Sequence, residues 1–388
     1  MKSKSDITIG IDASNIRGGG GLTHLSELLN HLDPEKNNIH KVIVWSNSNT
    51  LNKLPQKSWM TKIKHKLLEG SFVGRIYWQV FFFTVAIEEN KCDLIFIPGG
   101  SFTTSFRPVV SMNQNLLPFE WRELFRYGLS LSTLKFILLR LTNKSAFKRS
   151  NGIIFLSQYS KEIVLKCLPN NNYSTTIIPH GIHEKFFLEP RKQLSISSYS
   201  NIKPIKIIYV SSIEFYKHHC NVIEAISRVK RSGYPIMLEI YGTGNLKAVK
   251  KLKQSIATHD KDEEYIIYKD KITYDNIQEI YFSADIAIFA STCETFGQIL
   301  LESMAAGLPI ACSKYSAMPE IILDASIYFD PLDIRDIETA ITSLIISEAL
   351  RTELSEKAHK LAKNYSWSKT SFTTFKYFKD IVQSKKYF

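Results

Sequence analysis

Glu294 and Glu302 stand eight positions apart in the stretch CETFGQILLESMAAGLP, residues 293–309, on either side of an expected helix start. A carboxylate accepts hydrogen bonds from hydroxyls but repels a diphosphate, which is met instead by backbone amides and lysine. Eight helical residues rise about 12 Å, comparable with the separation of a sugar ring from a ribose across two phosphates. The spacing therefore divides the labour: hydroxyls at the two glutamates, phosphate at the helix start. The competing account makes Glu294 a helix-entry charge and Glu302 a solvated helix residue. The small and apolar neighbours in ILLESMAAG argue against simple solvation of Glu302.

Lys217, in the loop after the strand-like run IIYVSS, supplies an ammonium that could neutralise a diphosphate oxygen. His218, His219 and Cys220 beside it are metal-ligand types, but adjacent residues seldom converge on one ion and no second cluster supports them, so no metal is expected. The run DKDE at Asp260 to Glu263 contains an Asp-x-Asp, yet it lies in a polar connection and reads as a solvated charge run. Near the start of the chain, DASNIRGGGGLTHL sets Gly18 to Gly21 between a strand and a helix. Successive glycines let the backbone pass close to a ligand, and a helix N-terminus favours negative charge, so Gly19, Gly20 and Gly21 are candidates for ligand contact. The alternative is a flexible turn. The run is neither GxGxxG nor a Walker sequence with its lysine, which leaves dinucleotide and P-loop readings unsupported.

Such groups need strands that end at one edge. Strand-like and helical runs alternate along the chain: ITIGID, LTHLSELLNHL, KVIVWS, then DLIFIP, PVVSM and GIIFLS. After Pro204 the pattern restarts with IKIIYVSS, VIEAISRVKRSG, IMLEIYGTG, YIIYKD and DIAIFAS. Alternation of buried strands with helices predicts parallel sheets covered on both faces, and the restart predicts two doubly wound α/β domains facing across a cleft. The boundaries read as 1–187 for the first domain, 188–203 for a polar, Ser-rich linker, 204–365 for the second domain, and 366–388 for an aromatic-striped helix crossing back to the first. In such sheets ligands bind at the carboxyl ends of the strands.

At 388 residues, 44% hydrophobic and 22% charged, the chain has the composition of a folded, soluble two-domain protein. Five scattered cysteines without a CxxC pair argue against a disulfide framework and a zinc site, and suit a reducing, cytoplasmic compartment. The N-terminal MKSKSDITIGIDAS reads as a first strand rather than a signal peptide. The longest apolar stretch, IYWQVFFFTVAI, has twelve residues, short of the about 20 a membrane span needs. A formal charge of +12 implies an anionic partner: nucleic acid, an anionic membrane surface or a phosphorylated substrate.

Taken together, Glu294-x7-Glu302, IIPHGI at 177–182, EIYGTG at 239–244, Lys217, the glycine run and YSW before the last helix resemble the retaining glycosyltransferases of family 4, with the two-domain GT-B fold. The resemblance covers nearly the whole chain. It implies that Glu294 contacts the donor sugar, that the amides of Thr295, Phe296 and Gly297 touch sugar and phosphate, and that Glu302 binds the ribose. Gly242 and Gly244 join the donor set, and specificity for base and sugar falls to loops such as Gly242 to Asn245 and Lys271 to Asp275. The family is metal-independent and transfers a sugar from a nucleotide-sugar with retention. Two positions depart from its pattern. An arginine five residues before the lysine is replaced by Ser212, and the His-Asp of the first domain by Gln114-Asn115. Glutamine does not titrate, which leaves Gln114 a hydrogen bond to the sugar and no acid or base role.

The form NQNLLPFE looks like enzymes that build bacterial surface polysaccharides, including O-antigen. That likeness implies a lipid-linked saccharide acceptor. The lysines and aromatics of NKLPQKSWMTKIKHKLLEG and LSLSTLKFILLRLTNKSAFKRS could then lay the first domain on an anionic inner membrane surface. The rival readings are a sugar-nucleotide epimerase of the same fold, a transferase that binds donor without turnover, and a nucleic-acid binder. No nucleic acid is expected, because no RNP-like, zinc-finger or helix-turn-helix signature accompanies the charge.

Overall fold

The computed structural model describes residues 7–270 and 277–384. The specificity loop expected at Lys271 to Asp275 lies outside the described residues, as do the first six residues of the expected N-terminal strand. The chain divides into two compact units, residues 1–119, 129–181 and 366–388 in one, residues 120–128 and 182–365 in the other.

The first unit is built on a parallel sheet of β1 (Ile7–Asp12), β2 (Ile39–Ser46), β3 (Met60–Lys64), β4 (Leu94–Ile97), β5 (Val109–Met112), β6 (Gly152–Phe155) and β7 (Thr175–Ile177), in the order β3-β2-β1-β4-β5-β6-β7. Every residue of β1, β4, β5 and β6 is buried; LIFI of β4 and GIIF of β6 read accordingly as apolar runs, while β1 also buries Thr8 and Asp12 and β5 buries Ser111. The second sheet holds β8 (Ile205–Val210), β9 (Ile236–Tyr241), β10 (Ile266–Lys269), β11 (Ile286–Phe289), β12 (Ile310–Ser313) and β13 (Ile327–Phe329), in the order β10-β9-β8-β11-β12-β13. In each sheet the direction of winding reverses beside the first strand, between β1 and β4 and between β8 and β11. Loops leaving the carboxyl ends of those neighbours diverge there and open a crevice.

Three differences from the sequence reading have physical causes. First, the chain enters the second unit at Ile182, so residues 188–203 are not a free hinge. The Leu188 N–H donates to the Ala305 carbonyl at 3.2 Å, and the buried Arg351 guanidinium donates to Gln193 Oε1 at 3.1 Å and to the Leu194 carbonyl. A Ser-rich segment without periodicity can be ordered by hydrogen bonds to its backbone, which leave no trace in composition. Second, residues 120–128 leave the first unit and join the second, where the Tyr127 hydroxyl donates to Glu214 Oε2 at 2.6 Å. Third, Gly19 to Gly21 form the first turn of the Gly19–Asn30 helix rather than a loop before it. Amides of a first turn have no intrahelical partner, so the lack of side chains there exposes donors.

The last helix, Trp367–Ser384, belongs to the first unit. Its Ser371 hydroxyl donates to the Leu28 carbonyl and its Thr370 hydroxyl to the Pro179 carbonyl, both at 2.8 Å. Phe378 packs on Phe96 of β4 with ring centres 4.9 Å apart. Among the described residues no helix is long and apolar enough to cross a membrane.

Candidate functional site

In the second unit the loops after β8 and β11 bring Lys217 and Glu294 together. Lys217 ends a short 3-10 turn, Phe215–Lys217, and its carbonyl accepts from the buried Tyr209 hydroxyl at 2.6 Å, which ties the loop back to β8. Its ammonium lies 4.9 Å from the centre of the Phe289 ring and contacts Glu294 Oε1 directly. The lysine side chain is 4% exposed and the glutamate 17%, so the pair is closed behind the cation and open on the carboxylate side. Ser316 holds the glutamate's backbone from both directions: its hydroxyl accepts from the Glu294 N–H at 2.7 Å and donates to the Glu294 carbonyl at 2.9 Å.

The helix Gln298–Ala305 starts at once after this loop. Gly297 precedes it with φ near +98°, where a Cβ would also lie 2.7 Å from Met318 Cε, so no other residue fits without strain. Phe296 is buried against Tyr365, and Thr295 is half-buried beside it. Glu302 is 4% exposed. Its Oε2 accepts from the Tyr281 hydroxyl at 2.8 Å. Burial pushes its carboxyl up from 4.5 to about 7, against the smaller lowering influence of that hydrogen bond and of Lys185. The structure thus places Glu302 in a dry setting with a tyrosine already on it, rather than on a solvated helix face.

The loops after β8 and β9 are stitched together at the same edge. Ile213 forms a bridge with Gly244, donating to the Thr243 carbonyl at 3.1 Å and accepting from Asn245 N–H at 2.9 Å. At Gly242, with φ near +135°, a Cβ would sit 1.9 Å from the Ser211 carbonyl oxygen. Ser212 is exposed between them. His218 and His219 do not converge on an ion: His218 Nε2 lies 3.0 Å from Thr292 Oγ1, and His219 Nε2 lies 2.8 Å from Ser211 Oγ. Burial lowers both rings to about 3, so they are neutral structural links between loops.

The first unit carries a different cavity, of about 200 Å³, at the carboxyl ends of β1, β4 and β5. Its lining includes Arg17, Gly21, Asn113, Gln114 and Asn143. Gln114 Oε1 lies 3.1 Å from where a Cβ of Gly21 would be, so the glycine run and Gln114 are in contact. Asn113 is 1% exposed, and its Oδ1 has no hydrogen-bond partner. Gly19 and Gly20 are exposed at the rim. Asn113, Asn143, Tyr281, Ser316 and the Tyr127–Glu214 bond were not signalled by motif. Of these, Asn113 is the one that adjacency could have found, as the residue between β5 and Gln114.

Two doubly wound units with the strand orders given above define a GT-B protein, with charged groups at the switch point of the second sheet. Residues 191–361 match the family model of the glycosyl transferases group 1. A curated relative, the O-antigen chain mannosyltransferase B of Escherichia coli, is 24% identical over 64% of this chain and 62% of its own length, so the match leaves more than a third of that relative uncovered. Among solved structures, sucrose-phosphate synthase from Thermosynechococcus elongatus aligns with TM-score 0.76 at 13% identity over 97% of this chain and all of its own. The Anabaena protein HepE in complex with UDP-glucose aligns with TM-score 0.67 at 15% identity, covering 98% of this chain and all of its own. At those identities the likeness is one of fold.

Proposed function

We propose that the chain moves a sugar from a nucleotide-sugar to a saccharide acceptor during assembly of a bacterial surface polysaccharide such as O-antigen. The observation that carries this reading is the Lys217–Glu294 pair beside the start of the Gln298–Ala305 helix. An ammonium and the positive end of the helix dipole supply positive charge for a departing diphosphate, and the exposed side of Glu294 supplies an acceptor for sugar hydroxyls. Relatedness to an O-antigen mannosyltransferase supports the polysaccharide class, and the UDP-glucose held by a structural neighbour supports a nucleotide-sugar.

In this reading the acceptor hydroxyl attacks the anomeric carbon from the face the diphosphate leaves. The bond to the diphosphate oxygen breaks with its electron pair, and the hydroxyl proton passes to that oxygen. The configuration is retained, and neither a metal nor a titrating base from the protein takes part. Glu302 binds the ribose by exchanging or sharing its Tyr281 contact, and the amides of Thr295 to Gly297 meet sugar and phosphate. Gly242, Gly244 and Ser212 border the nucleotide, while Gly19 to Gly21 and Gln114 of the first unit hydrogen-bond sugar. The acceptor is lipid-linked and the enzyme works in the cytoplasm at the inner face of the membrane.

The test is a thermal-shift and donor-hydrolysis screen against UDP-, GDP-, dTDP- and ADP-sugars, with Lys217→Ala and Glu302→Gln alongside. Stabilisation of about 2.7 kcal/mol is expected from the cognate donor at a hundred times its Kd, with loss in both variants. No stabilisation by any donor would overturn the assignment. Ser212 favours one second reading, a protein that binds donor without turnover, because an exposed serine supplies no cation where the resemblance expects arginine. Stabilisation without hydrolysis or transfer would identify it.

A further inference from the structure

Two helices of the first unit show water what a folded chain normally hides. On the Phe72–Phe81 helix, Phe72, Val73, Ile76, Tyr77, Val80 and Phe81 are between 44 and 72% exposed, and their spacing of one and three residues puts them on one face. Trp78 and Gln79 on the opposite face are buried. On the Leu131–Arg149 helix, Leu131, Leu134, Leu138 and Leu141 are between 54 and 86% exposed and form a second stripe. Scattered exposed apolar residues are ordinary, but two continuous stripes are not.

Charge says what covers them. Residues 51–87 contain six lysines and arginines against one acid, Glu69, and that carboxylate is occupied by the Ser48 N–H and hydroxyl. The Leu131–Arg149 helix carries Lys135, Arg140, Lys144, Lys148 and Arg149 and no acid at all. A second copy of this chain would bring cations onto cations around the apolar contact, which like-charge repulsion disfavours. An anionic lipid surface accepts both features at once, apolar side chains into the acyl boundary and cations among the headgroups.

The placement is also directional. Arg75 of the first helix donates to Asn15 Oδ1 at 2.9 Å, and Asn15 lines the cavity that holds Gln114. Leu139 and Asn143 of the second helix line the same cavity. Both helices therefore border this cavity, the second through Leu139 and Asn143 on the side turned away from its leucine stripe.

We propose that the Phe72–Phe81 helix, together with the leucine stripe of the Leu131–Arg149 helix, is an in-plane docking face for an anionic bilayer that brings a membrane-held acceptor near the Gln114 cavity, which both helices border. The acceptor part rests on the function proposed above, whereas lipid binding does not and is measured without donor or transfer.

The experiment is flotation of the full chain with vesicles of phosphatidylcholine alone and with phosphatidylglycerol added, using wild type, Phe72→Ser/Ile76→Ser/Phe81→Ser and Leu134→Ser/Leu138→Ser/Leu141→Ser. Removing exposed side chains leaves the core intact, which an unchanged melting temperature checks. Wild type is expected on anionic vesicles and not on neutral ones, and each triple variant should lose about tenfold or more in partition, as expected when several buried apolar groups are deleted. Donor-induced thermal shifts should be the same in all three proteins. Absence of binding to either vesicle, or equal binding by wild type and variants, overturns the docking face. So does a dimer in light scattering that the substitutions dissolve, which would assign the stripes to a second copy. A normal donor response beside any of these would leave the catalytic reading standing.

Discussion

The candidate sites at the strand ends of the two units are built from opposite materials. In the second unit the groups are charged and braced: Lys217 against Glu294, Ser316 on the glutamate backbone, Tyr281 on Glu302. In the first unit they are a set of neutral amides, Asn113, Gln114 and Asn143, and the cation in the same lining, Arg17, is engaged in donating to the Leu68 carbonyl at 2.7 Å. A charged site suits a ligand whose own charge must be held and released, and a neutral amide site suits a ligand recognised by hydroxyl geometry. The difference teaches that equal topology does not give equal chemistry. The same winding places loops at a switch point in both sheets, and the residue types on those loops decide which substrate each receives.

The comparison breaks most readily at the ion pair. Lys217→Ala and Glu294→Ala should each raise the barrier to transfer by about 2 to 4 kcal/mol, roughly a 30- to 900-fold loss in kcat. Because a buried partner left unpaired also destabilises, the melting temperature must be followed beside the rate. A rate loss in protein that is still folded supports the charged role. A wild-type rate in either variant would remove it.

A smaller effect separates burial from solvation at Glu302. Its carboxyl takes up protons more readily folded than unfolded, about 7 against 4.5, so its contribution to stability is complete below pH 4.5 and lost as pH rises through 7. The whole change is on the order of 3 kcal/mol. Glu302→Gln cannot titrate, so the stability of wild type relative to this variant should fall between pH 4.5 and 7 in urea unfolding. A constant difference across that window would mean that the carboxyl is ionised throughout, as a solvated helix residue would be.

Much of this was legible before any coordinates. The restart after Pro204 marked two sheets because strands buried on both faces read as apolar runs, as β11 does throughout and β8 does after Lys206. The glutamate spacing and Lys217 could be read as one constellation because the loops that carry them each follow a strand. What stayed hidden is held by backbone or by contacts between residues distant in sequence. The bonds from residues 188–194 to Ala305 and Arg351 use carbonyls and amides that every residue has. Tyr127 meets Glu214 across 87 positions with no shared motif. The orphaned oxygen of Asn113 becomes notable only once burial is known. Apolar stripes, too, look like core until the structure shows which face is covered, as in FVGRIYWQVF, where six apolar side chains remain outside.

The smallest expected effect tests the amide side of the comparison most sharply. Gly21 lies in the first turns of a helix, where alanine is favoured over glycine by up to about 1 kcal/mol. At this position the new methyl would stand 3.1 Å from Gln114 Oε1. That atom is the end of a flexible side chain, so it moves aside and the stability of Gly21→Ala should stay within about 1 kcal/mol of wild type. Transfer should suffer more than folding, because Gln114 no longer presents its amide at the same place; a several-fold rise in acceptor KM with kcat little changed is the expected result. Gln114→Ala should give the same kinetic loss, and adding Gly21→Ala to it should cost nothing further, since the methyl then meets no side chain. Such non-additivity is the signature of two residues acting through one contact. Additive losses would instead mean that the glycine run meets its ligand directly, with its own exposed amides, and that Gln114 is only a neighbour.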